Sequence, residues 1–166
     1  YGVYGFLESL GCRFFAPDCE TVPKLETILI DADYRDSQRP AFSFRDVFWA
    51  CAFDEEWSVK QRVNSCFNLF NRTLGRSISP EWGGGISNAG PQHVHNFEML
   101  VPVDKYFESH PEYFSEINGK RTSEFLYSQL CLTNEDVFQI VVNQIREWMK
   151  ENPDSKVVPI SQNDSY

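Results

Sequence analysis

Apolar residues along the chain fall into alternating helical and extended patterns, broken by glycine, proline and asparagine. Residues 2–10 place Val3, Phe6, Leu7 and Leu10 on one helical face, and Gly11 stands where a glycine ends a helix. Residues 12–16 read as a short strand stopped by Pro17-Asp18, and residues 26–30 as a second strand. Polar residues 31–38 link this piece to the stretch from Arg39 to Trp49, where Pro40 marks a boundary because its ring pushes the preceding residue out of the helical region. From Phe42 the pattern begins half-polar and ends apolar on both faces, as a strand entering a layered β/α core does. Residues 42–49 therefore read as the first strand of such a unit.

Asp54, Glu55 and Glu56 open the next helix, where negative charge meets free backbone N–H groups. Val59, Val63, Cys66, Phe67 and Phe70 form its inner stripe. Asn64, Asn68 and Asn71 are weak helix formers, which leaves open a helix ending near Asn64 and a strand over 66–70. Residues 75–96 resist regular structure, with turn signals at Pro80-Glu81-Trp82-Gly83-Gly84-Gly85 and Asn88-Ala89-Gly90-Pro91. A loop of that length inside a domain is often functional. A helix is predicted over 99–109, then a strand through Ile117, a turn at Asn118-Gly119, and extended structure over 126–132.

The clearest helix is 134–151, with Thr133 and Asp136 as an acidic capping box. Its buried stripe is Val137, Phe138, Val141, Val142, Ile145, Trp148 and Met149. It stops at Asn152-Pro153, and residues 156–161 form the next strand, with Pro159 marking a bulge or an incomplete edge. Strand, helix, loop, helix, strand is a β/α order, and barrels of that kind keep their chemistry at the carboxyl ends of the strands.

A chain of 166 residues with 42% hydrophobic and 15% aromatic residues can fill a core. The net charge of −9 and the lack of a basic run disfavour nucleic acid as a partner. No apolar run is long enough to span a membrane. With no initiator Met or leader at its start, the sequence does not read export either way. The chain opens inside an apparent helix and closes just after an apparent strand, which reads as a fragment of something longer. The five cysteines (Cys12, Cys19, Cys51, Cys66, Cys131) lack the close pairs of a metal site. They read as small core residues, with a Cys12–Cys19 bridge as the alternative. No metal and no cofactor is expected.

Asp164 is the best-placed candidate for chemistry, following the 156–161 strand beside Gln162 and Asn163, where a β/α protein holds its site. Glycoside hydrolysis commonly uses two carboxyls at a fixed separation, and the chain offers one good candidate with no evident mate, so the catalytic residues stay unassigned. His93 and His95 share a face if extended and suit ligand hydrogen bonding, a loop role, or a metal given a third ligand. His110 and Glu112 flank Pro111, which fits a polar site or a tight corner. Arg45 and Asp46 read as a pair within the fold, or with one member pointing into a pocket. Trp82 suits stacking on a sugar ring. Asp164, Asn163, His95, His93, Trp82 and Arg45 are thus the candidate ligand-binding residues, expected to converge at the mouth of a partial barrel. Gly83-Gly84-Gly85 lacks the context of a nucleotide loop.

Several of these motifs together resemble a known family. They are Tyr1-Gly2-Val3-Tyr4-Gly5-Phe6-Leu7-Glu8 with Leu10-Gly11-Cys12-Arg13-Phe14-Phe15-Ala16-Pro17, Pro40-Ala41-Phe42 with Arg45-Asp46, and His110-Pro111-Glu112-Tyr113-Phe114 with Gly119-Lys120-Arg121. Gln129-Leu130-Cys131-Leu132-Thr133-Asn134 and Ser161-Gln162-Asn163-Asp164 complete the set. The chain resembles the DUF4838 family of bacterial proteins of uncharacterised function, in a consistent order over nearly its whole length. That family is similar in layout to alpha-glucuronidases and beta-hexosaminidases, with a small α/β domain before a (β/α)8 barrel.

The resemblance implies an α/β fold. Residues 1–38 would be the end of the small α+β domain with its linker, and residues 39–166 the first third or so of a TIM-like barrel. It implies a glycoside hydrolase-like domain acting on polysaccharide-derived glycans, with an oligosaccharide or polysaccharide as ligand and a secreted or periplasmic location. In the related hydrolases the acid lies on a later barrel strand than this chain reaches, so the 166 residues alone are expected to be inactive. Two rival readings remain. A non-catalytic carbohydrate-binding module is favoured by Trp82, His93 and His95, and a structural or protein-interaction domain by the acidic, aromatic composition.

Overall fold

The computed structural model describes residues 1–69, 74–124 and 128–164, which fall into two compact units. One comprises Tyr1–Cys66 and Arg76–Gly85, the other Phe67–Gly75 and Ile86–Tyr166.

The first unit opens with helix α1, Gly2–Ser9. Its end is a Schellman motif: Gly11 takes a left-handed φ of 99° and donates to the Glu8 carbonyl, while Cys12 N–H donates to Leu7 O at 3.1 Å. The chain then forms an antiparallel hairpin of β1 (Arg13–Ala16) and β2 (Cys19–Thr21). Cys12 and Cys19 are both free thiols, so the bridge between them is not made.

Residues 26–30 form no strand, and Ile28, Leu29 and Ile30 are exposed. Among the described residues no strand pairs with this stretch. Residues 42–49 form no strand either, contrary to the expectation, and Phe42, Phe48 and Trp49 are exposed. The reason lies in the pairing. Arg45 N–H donates to Asn64 Oδ1 and Arg45 O accepts from Asn64 N–H, so one residue's amide stands where a whole strand would be needed.

Helix α2 spans Glu55–Lys60, N-capped by Asp54, whose Oδ1 accepts from Trp57 N–H at 2.7 Å. It ends far short of Phe70, again in a Schellman motif, with Arg62 at φ 64° and Val63 N–H on Ser58 O. The asparagines had left this earlier stop open. A non-glycine residue in the left-handed region is strained, and Arg62 is held there by an ion pair with both Glu8 carboxylate oxygens. That hydrogen bond from Arg62 lowers the Glu8 carboxyl below its ordinary range, against the opposing effect of burial.

A folded-state value below the unfolded one stabilises the fold above the ordinary carboxylate range, and the effect is lost as pH falls through the lowered value. Glu8→Gln should therefore cost about 1 kcal/mol at pH 7, solvent screening of the partly exposed pair included, and progressively less as pH falls below the ordinary carboxylate range. Urea midpoints of both proteins at neutral and at acidic pH check this; an equal gap at both would remove the pair from the stability of this unit.

Strands β3 (Ser65–Leu69), β4 (Leu74–Ser77) and β5 (Ile86–Ser87) form a sheet in the order β4-β3-β5. Strand β3 matches the open alternative of a strand after Asn64, while Phe70 lies outside the described residues.

The second unit has its core in Ala89, Phe97, Leu100, Val101, Tyr113, Phe114, Leu130, Val137 and Trp148. The helix expected over 99–109 is two short ones, α3 (Phe97–Leu100) and α4 (Val103–Tyr106), because Pro102 removes a helical donor between them. Hairpin β6 (Glu116–Ile117) and β7 (Lys120–Arg121) turns through Asn118 at φ 52° and Gly119 at φ 75°, the paired left-handed residues of a tight hairpin turn. The expected extended stretch over 126–132 lies partly outside the described residues; within it Leu130 makes an antiparallel bridge to Phe114.

Helix α5 runs Glu135–Glu151. Its cap is Asn134 rather than Thr133: Asn134 Oδ1 accepts from Asp136 and Val137 N–H, one residue later than the capping box would place it. Val137 and Trp148 are buried, whereas Phe138 and Met149, expected in the same stripe, are exposed. After α5, Val157 makes a parallel bridge with Asn88, just past β5. The rest of 156–161 has no ladder, as Pro159 would dictate.

Candidate functional site

Beyond the Val157 bridge, residues 159–163 are positioned by side chains where a neighbouring strand would otherwise serve. Asn96 is fully buried. Its Oδ1 accepts from Ser161 N–H at 2.9 Å, its Nδ2 donates to Pro159 O at 2.9 Å, and its own N–H donates to Ser161 O at 3.1 Å. Gln129 does the same for Asn163, two residues after Ser161. Its Nε2 donates to Asn163 O at 2.7 Å and its Oε1 accepts from Asn163 N–H at 3.1 Å. Two amide side chains thus satisfy backbone groups of a partly buried segment that has no strand beside it among the described residues.

The motifs around Gln129 and around Asp164 therefore meet in space. Asn163 is buried rather than presented to solvent. Its Nδ2 donates to Ser128 O at 2.7 Å, and its Oδ1 is buried without a hydrogen-bond partner. Asp164, next in line, is 90% exposed.

His95 faces Asp164 across this segment. Its Nδ1 lies 3.1 Å from Gln162 O, and since a carbonyl only accepts, Nδ1 carries a proton. Nε2 is then left 3.3 Å from Asp164 Oδ2. His95 sits at φ 54°, a strained backbone that clusters at functional sites. Gln92, itself buried, holds that backbone by donating Nε2 to the Val94 and His95 carbonyls. His93 turns away to Asn88, whose Nδ2 lies 2.9 Å from its Nδ1.

Of the candidate residues, His95, Asn163 and Asp164 come together, with His93 on the same loop. Arg45 and Trp82 belong to the other unit. The Arg45 guanidinium donates to the carbonyls of Arg62, Phe42 and Ser43 and covers the Tyr1 ring, a structural set of partners. Trp82 ends a 3-10 turn, Pro80–Trp82, and is half exposed.

Sequence reading missed Gln92, Asn96 and Gln129. The one signal for them was the spacing of Gln92 and Asn96, four apart. The His110–Glu112 motif is the tight corner: the His110 ring stacks on Tyr113 at 4.6 Å and its Nδ1 lies 3.0 Å from Glu112 Oε1. Tyr113 and Phe114 then enter the core.

Among the described residues no three His, Cys, Asp or Glu side chains form a group that could hold a metal ion. No helix among them is long and apolar enough to cross a membrane. Comparison with curated proteins and with solved structures finds no match. The family model described as a domain of unknown function, DUF4838, matches residues 14–166, most of the chain and all of the site just described. The chain belongs to the DUF4838 family.

Proposed function

We propose that this chain is part of a carbohydrate-active domain of glycoside hydrolase-like, β/α-barrel organisation, and that His95 and Asp164 hold a glycan at its mouth. One observation carries the reading. Asn88 and Val157 pair in parallel with α5 in the connection between them, and His95 and Asp164 meet beyond the carboxyl ends of these two segments. In β/α folds ligands bind at that end of the strands.

Asp164 offers only acceptors when ionised, so it takes hydrogen bonds from sugar hydroxyls. His95 adds a ring nitrogen beside it. Hydrolysis of a glycoside takes two carboxyls, and the site has one, so the 166 residues are expected to bind sugar and release none. The single carboxylate fits a non-catalytic binding module equally well; two carboxylates on later strands of a longer chain would separate the enzyme from the module.

The test is titration with oligosaccharides, neutral and uronic, of the wild-type chain and Asp164→Asn, with melting temperatures alongside. The expected result is about tenfold weaker binding with a melting temperature within about 2 °C, as for an exposed side chain. Unchanged affinity with a large fall in melting temperature would make Asp164 structural and end this reading.

A further inference from the structure

A second feature, in the first unit, has the construction of a ligand site. Trp82 and Glu81 stand over a surface cleft of about 390 Å³ lined also by Tyr1, Tyr4 and Val59. The tryptophan is half exposed, on a turn closed by several hydrogen bonds. Trp82 N–H donates to Ser79 O at 3.1 Å, Gly83 N–H to Pro80 O at 3.0 Å and Gly84 N–H to Ser79 O at 3.0 Å. Glu55 Oε1 accepts from Ser79 N–H at 3.0 Å, tying the turn to α2. A Cβ on Gly84 would collide with the Ile78 backbone, so the close approach that seats the turn needs glycine there. Gly83 at φ 83° reverses the chain directly after the tryptophan.

The other rings are held too. Tyr4 packs edge-on against Phe14 at 5.7 Å, and the Arg45 guanidinium lies 5.2 Å from the Tyr1 ring centre. A rigid turn that keeps a large aromatic in water, over further fixed rings, has already met the ordering cost that binding otherwise carries.

We propose that this cleft is a subsite for a neutral sugar ring of an oligosaccharide, separate from the His95–Asp164 site. Trp82 stacks on the apolar C–H face of the pyranose, as an exposed aromatic with a large flat surface can. Glu81 accepts hydrogen bonds from its hydroxyls. The same carboxylate repels anionic sugars. Among the described residues no basic side chain lines the cleft; Arg62, over the Tyr1 ring, is neutralised by Glu8, and the Arg45 donors are taken up by backbone carbonyls. The choice of a sugar rests on the carbohydrate reading above, while the site itself rests on residues of this unit alone.

The four tryptophans give four indole N–H signals in a ¹⁵N spectrum, and the one missing in Trp82→Ala is that of Trp82. Cellohexaose and chitohexaose are titrated into the wild-type chain, Trp82→Phe, Glu81→Gln and Asp164→Asn. The expected result is a saturable shift of the Trp82 signal by at least one of the two sugars, retained in Asp164→Asn. Glu81→Gln should weaken the binding followed at Trp82 several-fold. In Trp82→Ala, affinity followed on the remaining signals of the cleft falls at least about tenfold, with partial recovery in Trp82→Phe. A Trp82 signal unmoved by either sugar up to about 10 mM would overturn the proposal. So would a shift abolished by Asp164→Asn, which would assign the binding to the other site. Loss of binding in Asp164→Asn at its own site with the Trp82 shift intact separates the two.

Discussion

Asn96→Ala should lower the melting temperature by about 10 °C, a loss of about 3 kcal/mol. The side chain is fully buried, and its amide serves Ser161 N–H, Pro159 O and Gln92 O. Truncation leaves these partly buried backbone groups without the amide, and a buried group left unsatisfied costs about 1–3 kcal/mol. Alanine also opens a cavity beneath the segment that leads to Asp164. The substitution should therefore move the His95 ring signals in an NMR spectrum as well, since Nδ1 rests on Gln162 O. Thermal unfolding and His95 ring shifts check both halves. A melting temperature lowered by less than about 2 °C would mean that the 159–164 segment is held by other contacts.

Gly90→Ala should be of similar size, about 3 kcal/mol. Gly90 has a φ of 96°, where a side chain is strained, at a cost of about 1–2 kcal/mol. The added Cβ would lie 2.6 Å from Trp148 Cε3 and 2.9 Å from Cδ2. Trp148 is itself a core residue on α5, so it has little room to retreat, and overpacking adds about 1–3 kcal/mol. The loop from Asn88 to Asn96, which carries His93 and His95, passes under that indole. Denaturant unfolding followed by tryptophan fluorescence checks the loss. A variant as stable as wild type would show that the loop can lift off α5 at no cost.

How much of this was legible beforehand depends on the range of the interactions involved. The end of α1 at Gly11, the turn at Asn118-Gly119, the acidic start of α2 and the extent of α5 were all readable. In each, the residue that decides the geometry lies within a few positions of the atoms it serves. Asp164 was readable as a candidate for the same reason: a well-marked helix and a short extended segment fix its distance along the chain. The misreadings share a different cause. Residues 42–49 carry the composition of a buried strand, but a strand exists only by pairing, and here the backbone of Arg45 meets the Asn64 amide instead. Phe138 and Met149 fit the apolar stripe of α5 by period, yet period says nothing of which packing partners are present.

The sequence by itself determined the local elements, the glycines and asparagines that end or turn them, and the family to which the chain belongs. Only the tertiary structure decided that Asn163 is buried while Asp164 is exposed, that His95 meets Asp164, and that Arg45 is bound to backbone carbonyls. It also decided that Gln92 holds the His95 backbone and that Asn96 and Gln129 hold the segment before Asp164. The physical reason is that an amide side chain can donate and accept in almost any setting. Its partner is chosen by what backbone the fold brings beside it, more than thirty residues away along the chain for Asn96 and Gln129 alike.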